Sequence, residues 1–541
     1  MKKILLTLFI ICTGVFAHAQ DFALGADISW LTGFEKQGHK VYNFKGEERE
    51  TTALMKELGL NAIRLRVWVN PKGGDCGKED VLMKALRAEK LGMDVMIDFH
   101  YSDSWADPGK QFIPEAWKDH KYKQMCKDVA AHTTEVLQLL KDNGVTPKWV
   151  QVGNETSNGF LWPVGSLKEN PKQYAGLFKA GYDACKAVFP STKVIVHLDN
   201  GFDEDLYERN LDALREGGAT WDLIGMSIYP YWAKEANKEP SAARLFNDMQ
   251  KNIKKVVKRY GTDVIIAETG FEVDEKNAWK MEMGREQLEQ LIDICMNKTD
   301  GHCKGVFYWE PTANPRFYKL GAFSSDGRPT EIMRAFSPKS QDRTKIAFET
   351  TEGTIVCELY NETPKHRDNY LKLIQNKAFD NVLFHRVIAN FMIQAGDMGS
   401  KEAPKTSVEN PAEPLGENNA LDEKGEKYSI EAEILPQFFH HRGALAAARQ
   451  SDEDNPQRMS SSSQFYIVWG DWPARKPKEG GMLPYYEEEY NYGTPWLDGK
   501  YTVFGRVTSG MDIVDKIQRL STDKYNRPLK DVRITRAYVV E

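Results

Sequence analysis

The feature that most constrains the fold is a repeated alternation of short apolar runs with longer amphipathic stretches between residues 22 and 336. Short apolar runs are typical of buried strands, whereas apolar residues recurring at helical spacing are typical of helices. The strand candidates are Leu24–Ile28, Ala62–Val67, Asp94–Phe99, Trp149–Val152, Val194–His197, Leu223–Ile228, Val264–Ala267 and Gly305–Trp309. The clearest helix patterns are Glu48–Leu58, Asp119–Leu140, Pro171–Phe189 and Glu286–Met296.

Eight strand candidates separated by helices predict a closed parallel (β/α)8 TIM barrel as the N-terminal domain. An open doubly wound sheet has the same alternation and is the runner-up. The Gly-x-Gly-x-x-Gly fingerprint, which would favour the dinucleotide-binding version of that sheet, is missing from the sequence.

The pattern changes after the polar segment Ser337–Asp342, where β-like runs replace the alternation. These runs are Lys345–Glu349, Thr354–Leu359, Leu383–Val387, Gln464–Val468 and Thr502–Val507. Two insertions rich in charge, Gly and Pro, Ser400–Lys427 and Asp471–Gly493, are typical of surface loops. We therefore predict a multidomain chain: a barrel over residues 20–337, a linker over 338–343 and a mainly β, barrel-like domain over 344–541.

The N-terminus has the pattern of a secretory signal peptide. Two lysines precede the apolar run Ile4–Phe16, and Ala17–Ala19 supplies small residues for cleavage, so we assign residues 1–19 to the signal. No later apolar stretch approaches the ~20 residues that cross a bilayer. A net charge of −6 lacks the basic footprint of nucleic-acid binding. We expect a periplasmic or extracellular protein with no membrane span and no nucleic-acid partner.

Six cysteines follow the signal, too few for a disulfide framework in so long a chain. No pair has zinc-finger or Cys-x-x-Cys spacing. Buried thiols are the favoured interpretation, and Cys295 and Cys303, on either side of Gly301, are the one pair to test for a bridge. We expect no metal and no cofactor.

Two carboxylates stand where a barrel enzyme places its catalytic groups. Glu155 follows the fourth strand candidate and Glu268 the seventh. A carboxylate there is costly to desolvate unless it is paired or emerges into a polar cleft, and the C-terminal mouth of a barrel is such a cleft. Glycoside hydrolysis needs two facing carboxyl groups, one protonated and one ionised. This chemistry is the preferred interpretation of the pair.

Other strand ends add polar and aromatic side chains to the same mouth. Aromatic faces stack on the C–H faces of sugars, and polar groups bind hydroxyls. Taken singly, each of these residues is more often structural than functional. The set comprises Asp27, Arg64, Arg66, Asp98, His100, His197, Asp199, Tyr229, Trp309 and Glu310.

At these residues the sequence resembles the arabinogalactan endo-β-1,4-galactanases of glycoside hydrolase family 53. The resemblance covers the whole first domain and is carried by five motifs: Gly25–Ser29 (GADIS), Asn61–Trp68 (NAIRLRVW), Asp98–Pro108 (DFHYSDSWADP), Val152–Glu155 (VGNE) and Tyr308–Pro311 (YWEP). It implies a retaining mechanism on β-1,4-galactan or arabinogalactan. Hydrolysis of another β-linked glycan stays open as an alternative.

The resemblance also implies residue roles. Glu155, which follows Asn154, is the expected acid/base, and Glu268 is the expected nucleophile, steadied by Tyr229. Asp27, Arg64, His100, Asn154, His197, Tyr229 and Trp309 are the expected substrate-binding residues. We expect a raised pKa at Glu155 and an ionised Glu268. Some family members carry a calcium loop after the nucleophile strand, but Phe271–Asn277 lacks an alternating ligand series, so we predict no calcium there.

In the second domain three segments, Phe384–Asp397 (FHRVIANFMIQAGD), Ser463–Ile467 (SQFYI) and Trp496–Gly505 (WLDGKYTVFG), resemble the cyclophilin-type peptidyl-prolyl isomerases. Amide resonance opposes X–Pro rotation by about 18–20 kcal/mol. A guanidinium at the prolyl nitrogen weakens that resonance while an apolar pocket grips the ring.

The resemblance makes Arg386 the expected catalytic residue, with a proline-containing peptide or protein as its partner. The other expected site residues are Gln394, Gln464, Phe391, Met392, Tyr466, Leu497, Trp496 and Ala448. Three positions depart from the family pattern: Tyr466 replaces Phe, Tyr501 replaces His and Arg449 replaces Asn. A noncatalytic module that binds peptides or assists folding stays open as an alternative.

Overall fold

A computed structural model of the chain describes residues 22–236, 241–336, 343–422, 425–470 and 493–540. The predicted signal peptide, nearly all of the predicted linker 338–343 and most of the insertion Asp471–Gly493 lie outside these residues. The described residues form two compact units, one from residues 22–276 and 280–336, the other from 277–279 and 343–540.

Eight parallel strands close into a barrel in the first unit, as the alternation predicted. Around the barrel the order is β1-β8-β7-β6-β5-β4-β3-β2. The strands are β1 Ala23–Asp27, β2 Ala62–Val67, β3 Asp94–Phe99, β4 Trp149–Val152, β5 Lys193–Leu198, β6 Leu223–Ile228, β7 Asp263–Thr269 and β8 Cys303–Trp309. Two short hairpins, Val41–Tyr42 with Glu48–Arg49 and Gly159–Phe160 with Gly165–Ser166, decorate the connections.

Helices connect successive strands. They are α1 Leu31–Lys36, α2 Thr51–Glu57, α3 Lys78–Lys90, α4 Tyr122–Asp142, α5 Pro171–Val188, α6 Glu204–Glu216, α7 Pro230–Glu235, α8 Ala242–Tyr260 and α9 Ala278–Asn297, with 3₁₀ turns at Glu115–Trp117 and Glu331–Phe336. The predicted helix Glu48–Leu58 is shorter than expected because Glu50 caps α2, its carboxylate accepting from the Ala53 N–H.

The barrel interior is divided into an apolar plug and a polar mouth. Each strand contributes one buried apolar residue to the plug: Ala23, Ala62, Met96, Trp149, Ile195, Leu223, Ile265 and Phe307. Side chains on a strand alternate in direction, so inward-facing residues further along the same strands reach the mouth. Gln151 on β4 and Arg64 on β2 follow plug residues in this way, which fills the mouth with polar groups.

The second unit is a curled antiparallel sheet of nine strands in the order β11-β19-β9-β10-β18-β15-β17-β13-β12. A separate pair joins β14 to β16. The strands are β9 Lys345–Thr350, β10 Gly353–Leu359, β11 Val382–Leu383, β12 Arg386–Ile388, β13 Met392–Ala395, β14 Ser429–Ile430, β15 Ala444–Ala447, β16 Ser460–Ser461, β17 Phe465–Val468, β18 Val503–Ser509 and β19 Arg533–Val539. The helices are α10 Pro364–Gln375 and α11 Met511–Gln518, with 3₁₀ turns at Met398–Glu402 and Pro495–Leu497.

Two further sequence expectations concern cysteines and membrane spans. All six described cysteines are free thiols, five of them buried and Cys126 partly exposed. Cys295 and Cys303 hydrogen-bond to each other, so they adjoin without being bridged. Within the described ranges, no helix is long and apolar enough to cross a bilayer.

Candidate active sites

A cavity of about 640 Å³ in the first unit contains both predicted catalytic carboxylates. Glu155 comes three residues after β4 and Glu268 lies in β7, so both reach the cavity from the C-terminal end of the barrel. The residues that line it include Trp30, His100, Trp105, Asn154, Glu155, Asp199, Ser227, Tyr229, Glu268, Trp309 and Tyr318.

Glu268 is held by two donors. Its Oε1 lies 2.8 Å from Arg64 Nη2, and its Oε2 accepts a 2.9 Å hydrogen bond from the Tyr229 hydroxyl. Burial raises the pKa of Glu268 to about 7, although Arg64 and the Tyr229 hydrogen bond act to lower it. Both donors favour the carboxylate, but a pKa of about 7 leaves Glu268 partly protonated near neutral pH, whereas the sequence predicted an ionised group.

Glu155 is placed by a sharp turn. Gly153 has φ +86°, where an added Cβ would lie 2.5 Å from Thr156 Cγ2, and Glu155 itself adopts φ +44°. This left-handed backbone is strained for a residue with a side chain. Desolvation in the cleft, followed by the charges of Glu268 and Asp199, raises the pKa of Glu155 well above its ordinary value. A hydrogen bond from Ser227 and the charge of Arg64 act to lower it.

Arg64 organises the floor of the site. Its Nη1 donates to Asp27 Oδ2 at 2.7 Å, its Nη2 to Asp98 Oδ2 at 2.9 Å and to Asn154 Oδ1 at 2.8 Å, and its Nε to Gln151 Oε1 at 2.7 Å. Although burial alone lowers it, these carboxylates together with Glu268 raise the pKa of Arg64. A buried cation with this many acceptors is fixed in place, and it therefore fixes Glu268.

Two buried histidines extend the floor. His100 Nδ1 accepts from the Ala106 N–H at 3.0 Å, so its proton is on Nε2, which lies 2.9 Å from Asp98 Oδ2. His197 Nε2 lies 2.9 Å from Ser227 Oγ, the residue that also donates to Glu155. Burial and the charge of Arg64 lower the pKa of His197 well below its ordinary value. Both rings are therefore neutral hydrogen-bonding groups near neutral pH.

Three of the expected substrate-binding residues are enclosed and do not line the cavity. Asp27, Arg64 and His197 were expected to bind substrate, but each is at most 1% exposed and none lines the cavity. Their polar atoms are instead used to hold Glu268, Asn154 and Ser227. His100, Asn154, Tyr229 and Trp309 do line the cavity, as a substrate contact requires.

An aromatic group on one side of the cavity was missed by the sequence interpretation. Trp309 was named, but Trp30, Trp105 and Tyr318 were not assigned to the site. The ring centroids of Trp30 lie 5.3 Å from Trp309 and 5.8 Å from Trp105, and those of Trp309 and Tyr318 lie 4.7 Å apart. Trp30 and Trp105 follow β1 and β3, so position after a strand end was the signal that could have found them.

In the second unit, Arg386 begins a polar chain across three strands. Its Nη1 donates to Gln394 Oε1 at 3.1 Å, and Gln394 Nε2 donates to Gln464 Oε1 at 3.2 Å. Gln464 Nε2 donates in turn to the Gly416 carbonyl at 2.7 Å. Arg386 is opposite Gln394 in the β12–β13 pairing, which sets this contact. Partial desolvation lowers the pKa of Arg386.

The predicted proline pocket is a contiguous apolar cluster. Met392 and Tyr466 are buried in it, and Phe391, Ala448 and Leu497 pack against it. The exposed Trp496 has its ring centroid 5.9 Å from that of Phe391. The structure thus brings together all eight residues that were expected around Arg386.

A polar chain behind this pocket was not anticipated. His440 Nδ1 lies 2.9 Å from Asp498 Oδ1, so this nitrogen carries the proton and Nε2 accepts. The Tyr466 hydroxyl, 3.0 Å from Nε2, is therefore a donor to His440. This contact explains how a Tyr is accommodated where the family has Phe. The other two departures also adjoin, since the Arg449 guanidinium lies 4.3 Å from the Tyr501 ring centroid.

The residues of the first cavity can supply a proton donor, an oxygen nucleophile and aromatic stacking surfaces. Within the part of the chain that the structure describes, no group of three or more His, Cys, Asp or Glu side chains is arranged to hold a metal ion. The expectation of no cofactor and no calcium at Phe271–Asn277 remains a prediction.

Comparisons with known proteins agree with both interpretations. Residues 23–387 match the family described as Glycosyl hydrolase family 53, and residues 345–539 match the cyclophilin type peptidyl-prolyl cis-trans isomerases. The two matches overlap over residues 345–387. We assign the overlap to the second unit, because β9 and β10 pair there with β19 and β18.

Several relatives of the first unit are named as galactanases. The arabinogalactan endo-beta-1,4-galactanase A of Aspergillus niger is 32% identical over 307 residues, which is 53% of this chain and 84% of that protein. A probable enzyme of the same name from Neosartorya fischeri is 33% identical over 331 residues, or 57% of this chain and 89% of the relative. The solved GH53 catalytic domain of Ignisphaera aggregans superposes with a TM-score of 0.53 at 30% identity, covering 59% of this chain and 96% of that domain.

Proposed function

Because this chain belongs to glycosyl hydrolase family 53 and also carries a cyclophilin-type isomerase domain, we propose that its barrel is a retaining endo-β-1,4-galactanase acting on galactan or arabinogalactan. The observation that carries the proposal is the unlike environment of two carboxyl groups in one cavity. Glu268 has an arginine and a tyrosine hydroxyl as donors, whereas Glu155 faces two other carboxylates. Relatives named galactanases support the choice of substrate.

The mechanism follows from these environments. Glu155, with the more strongly raised pKa, keeps the proton and gives it to the glycosidic oxygen as the C–O bond breaks. Glu268, ionised beside Arg64, attacks the anomeric carbon and forms a glycosyl-enzyme. Glu155, now a carboxylate, takes a proton from water, which attacks the same carbon and releases Glu268.

Arg64 and Tyr229 limit the basicity of Glu268 and hold its attacking oxygen. Because both partners come from other strands, their hydrogen bonds define the direction of attack. Asn154 lines the cavity beside Glu155, and its Oδ1 is held by Arg64 while its Nδ2 donates to the Ala106 carbonyl. A fixed amide next to the acid is suited to binding a sugar hydroxyl.

A polysaccharide panel tests the reaction, the substrate and the site together. Wild type and Glu268→Gln are incubated with β-1,4-galactan, arabinogalactan, xylan, mannan and β-glucan, and released oligosaccharides are resolved by chromatography. We expect internal cleavage of galactan by the wild type and none by the variant. Cleavage of xylan, mannan or β-glucan instead of galactan would move the proposal to the alternative substrate class. Undiminished activity of the variant would overturn the site.

For the second unit, we propose peptidyl-prolyl cis-trans isomerisation with Arg386 as the catalytic residue. Its guanidinium is oriented by Gln394 and adjoins the apolar cluster of Met392 and Tyr466. A proline ring gripped there would present its nitrogen to Arg386, which weakens amide resonance and speeds rotation. The alternative, a noncatalytic peptide-binding or folding module, predicts peptide binding without faster isomerisation.

We further propose that the chain is secreted to the periplasm or the cell exterior. The proposal is supported by the lysines, apolar run and small residues of positions 1–19. A polymeric glycan is too large to enter a cell intact, so an endo-acting enzyme must meet it outside. Cell fractionation with N-terminal sequencing of the mature protein tests this, and an intact Met1 in a cytoplasmic fraction would contradict it.

A further inference from the structure

Strand β2 carries a second buried arginine that the proposed reaction does not use. Arg66 is 1% exposed, and among the described residues its guanidinium nitrogens have no oxygen acceptor within hydrogen-bond distance, only a contact with the weakly accepting Cys76 thiol. The nearest carboxylate contact is Glu310 Oε1, 3.6 Å from Nη2 and beyond hydrogen-bond range. Burying a cation with so few acceptors is unfavourable unless something else compensates it.

Two indole rings lie against the Arg66 guanidinium. Its central carbon lies 4.0 Å from the ring centroid of Trp105 and 5.1 Å from that of Trp68. Both distances are within the range of a cation–π interaction, which strengthens when the cation is desolvated. The two indoles thus stabilise the buried charge, and the charge in turn fixes the Trp105 ring from one side.

Trp105 connects this pair to the cavity. It lines the cavity, and its ring meets Trp30 and Trp309 at interplanar angles of 88° and 63°, with centroids 5.8 and 5.7 Å away. Edge-to-face contacts of this kind fix a ring without covering both of its faces. Arg66 lies over the Trp105 ring, and the part of that ring that lines the cavity is available for stacking on a sugar.

We propose that Arg66 is a positioning residue that holds Trp105 as a stacking surface for one sugar unit of the bound glycan. The inference rests on the proposed glycosidase function and adds a binding role that Arg64, the neighbouring inward arginine, does not have. Stacking binds substrate and transition state alike, so its loss should raise KM and leave kcat nearly unchanged.

The test compares Arg66→Met with Trp105→Ala and with the double variant on the glycan that the wild type cleaves. We expect Arg66→Met to raise KM about fivefold with kcat within about twofold of wild type. In the Trp105→Ala background the same substitution should not raise KM further, because its effect passes through that ring. Arg87→Met is the matched control. Arg87 lies on α3, its carboxylate partners Glu35 and Glu50 are exposed, and its substitution should leave KM unchanged.

Arg66→Lys keeps the charge but loses the planar group, so it covers the case in which Arg66→Met does not fold. Its KM should lie between those of wild type and Arg66→Met. Oligosaccharide can also be titrated into Glu268→Gln, with and without Arg66→Met. The second substitution should weaken binding by the same factor by which it raises KM in the active enzyme. Equal falls in kcat and kcat/KM, or additive effects of Arg66→Met and Trp105→Ala, would overturn the inference. A wild type that cleaves no β-glycan would instead overturn the proposed function.

Discussion

The two candidate sites orient their reactive groups by opposite means. In the barrel, Glu268 is fixed through Arg64, a fully buried cation bonded to acceptors on four strands or strand ends. In the second unit, Arg386 is only partly buried, and one glutamine orients it beside an apolar wall. Glycoside hydrolysis needs two like groups in different protonation states, which requires a dense electrostatic framework, whereas isomerisation needs one cation that never changes state.

The largest expected effect is on how the rate of hydrolysis depends on the leaving group of the substrate. Glu155→Gln should lower kcat on galactan about 10²- to 10⁴-fold, the usual contribution of a general acid. The loss should be much smaller on an aryl galactoside, whose phenolate leaves without protonation. Glu268→Gln should be inactive on both substrates, because no leaving group replaces a nucleophile. Steady-state kinetics on the paired substrates measure this, and equal behaviour of the two variants would contradict unlike roles.

Arg386→Ala should lower the isomerisation rate of a proline peptide about 10²- to 10³-fold, the scale of losing one electrostatic donor to a transition state. Arg386→Lys is the matched variant, since it keeps a charge but loses the planar fork that Gln394 orients. Protease-coupled isomerisation or exchange NMR measures the rate. A wild-type domain that binds the peptide without accelerating exchange would leave the noncatalytic alternative standing.

The pH dependence of galactan hydrolysis should separate the two carboxyl groups. Activity should fall as the pH drops through about 7, where Glu268 gains a proton and loses its nucleophilic form. Tyr229→Phe removes a hydrogen bond that lowers the pKa of Glu268, so this acidic limb should move to higher pH. Profiles of kcat/KM against pH measure the shift of this limb in the free enzyme.

Ser227→Ala provides the opposite control. The Ser227 hydrogen bond lowers the pKa of Glu155, and its removal should move the alkaline limb upward and leave the acidic limb in place. If Tyr229→Phe moved the alkaline limb, or Ser227→Ala the acidic one, the assignment of proton donor and nucleophile would have to be reversed.

The smallest expected effect lies in the proline pocket. Tyr466→Phe removes the hydrogen bond to His440 and should lower the free energy of unfolding by about 0.5–1.5 kcal/mol, with the isomerisation rate nearly unchanged. His440→Phe should cost more, about 1–3 kcal/mol, because the Tyr466 hydroxyl is then buried without an acceptor. Thermal denaturation of the single and double variants measures this, and the double variant should recover part of the His440→Phe loss.

The elements with a regular hydrophobic period were predictable from the sequence. All eight barrel strands and the strand ends of Glu155 and Glu268 were predictable because buried strands and their polar ends alternate regularly. In the second unit the run Leu383–Val387 was predicted as one strand, but β11 and β12 divide it, and β13, β14, β15, β16 and β19 were missed. The short strands of a curled antiparallel sheet carry a weaker pattern.

Contacts between distant residues were less accessible from the sequence. The sequence could not show that His100 lines the cavity while Arg64 does not, because both follow the same inward alternation. Trp30 and Trp105 lie outside the strands, in segments whose paths cannot be predicted from a hydrophobic period. Their contact was therefore not predictable from the sequence. The hydrogen bond between Tyr466 and His440 likewise depends on the fold, which brings together two residues 26 positions apart in the chain.

Azide trapping distinguishes the proposed roles of Glu155 and Glu268 by the stereochemistry of the product. Glu155→Gly and Glu268→Gly are incubated with an activated aryl β-galactobioside and azide, and the anomeric configuration of the product is read by NMR. We predict a β-galactosyl azide from Glu155→Gly, because azide attacks the glycosyl-enzyme in place of water. We predict an α-galactosyl azide from Glu268→Gly, because azide enters the nucleophile's position. The reverse assignment, or the same configuration from both variants, would contradict the account.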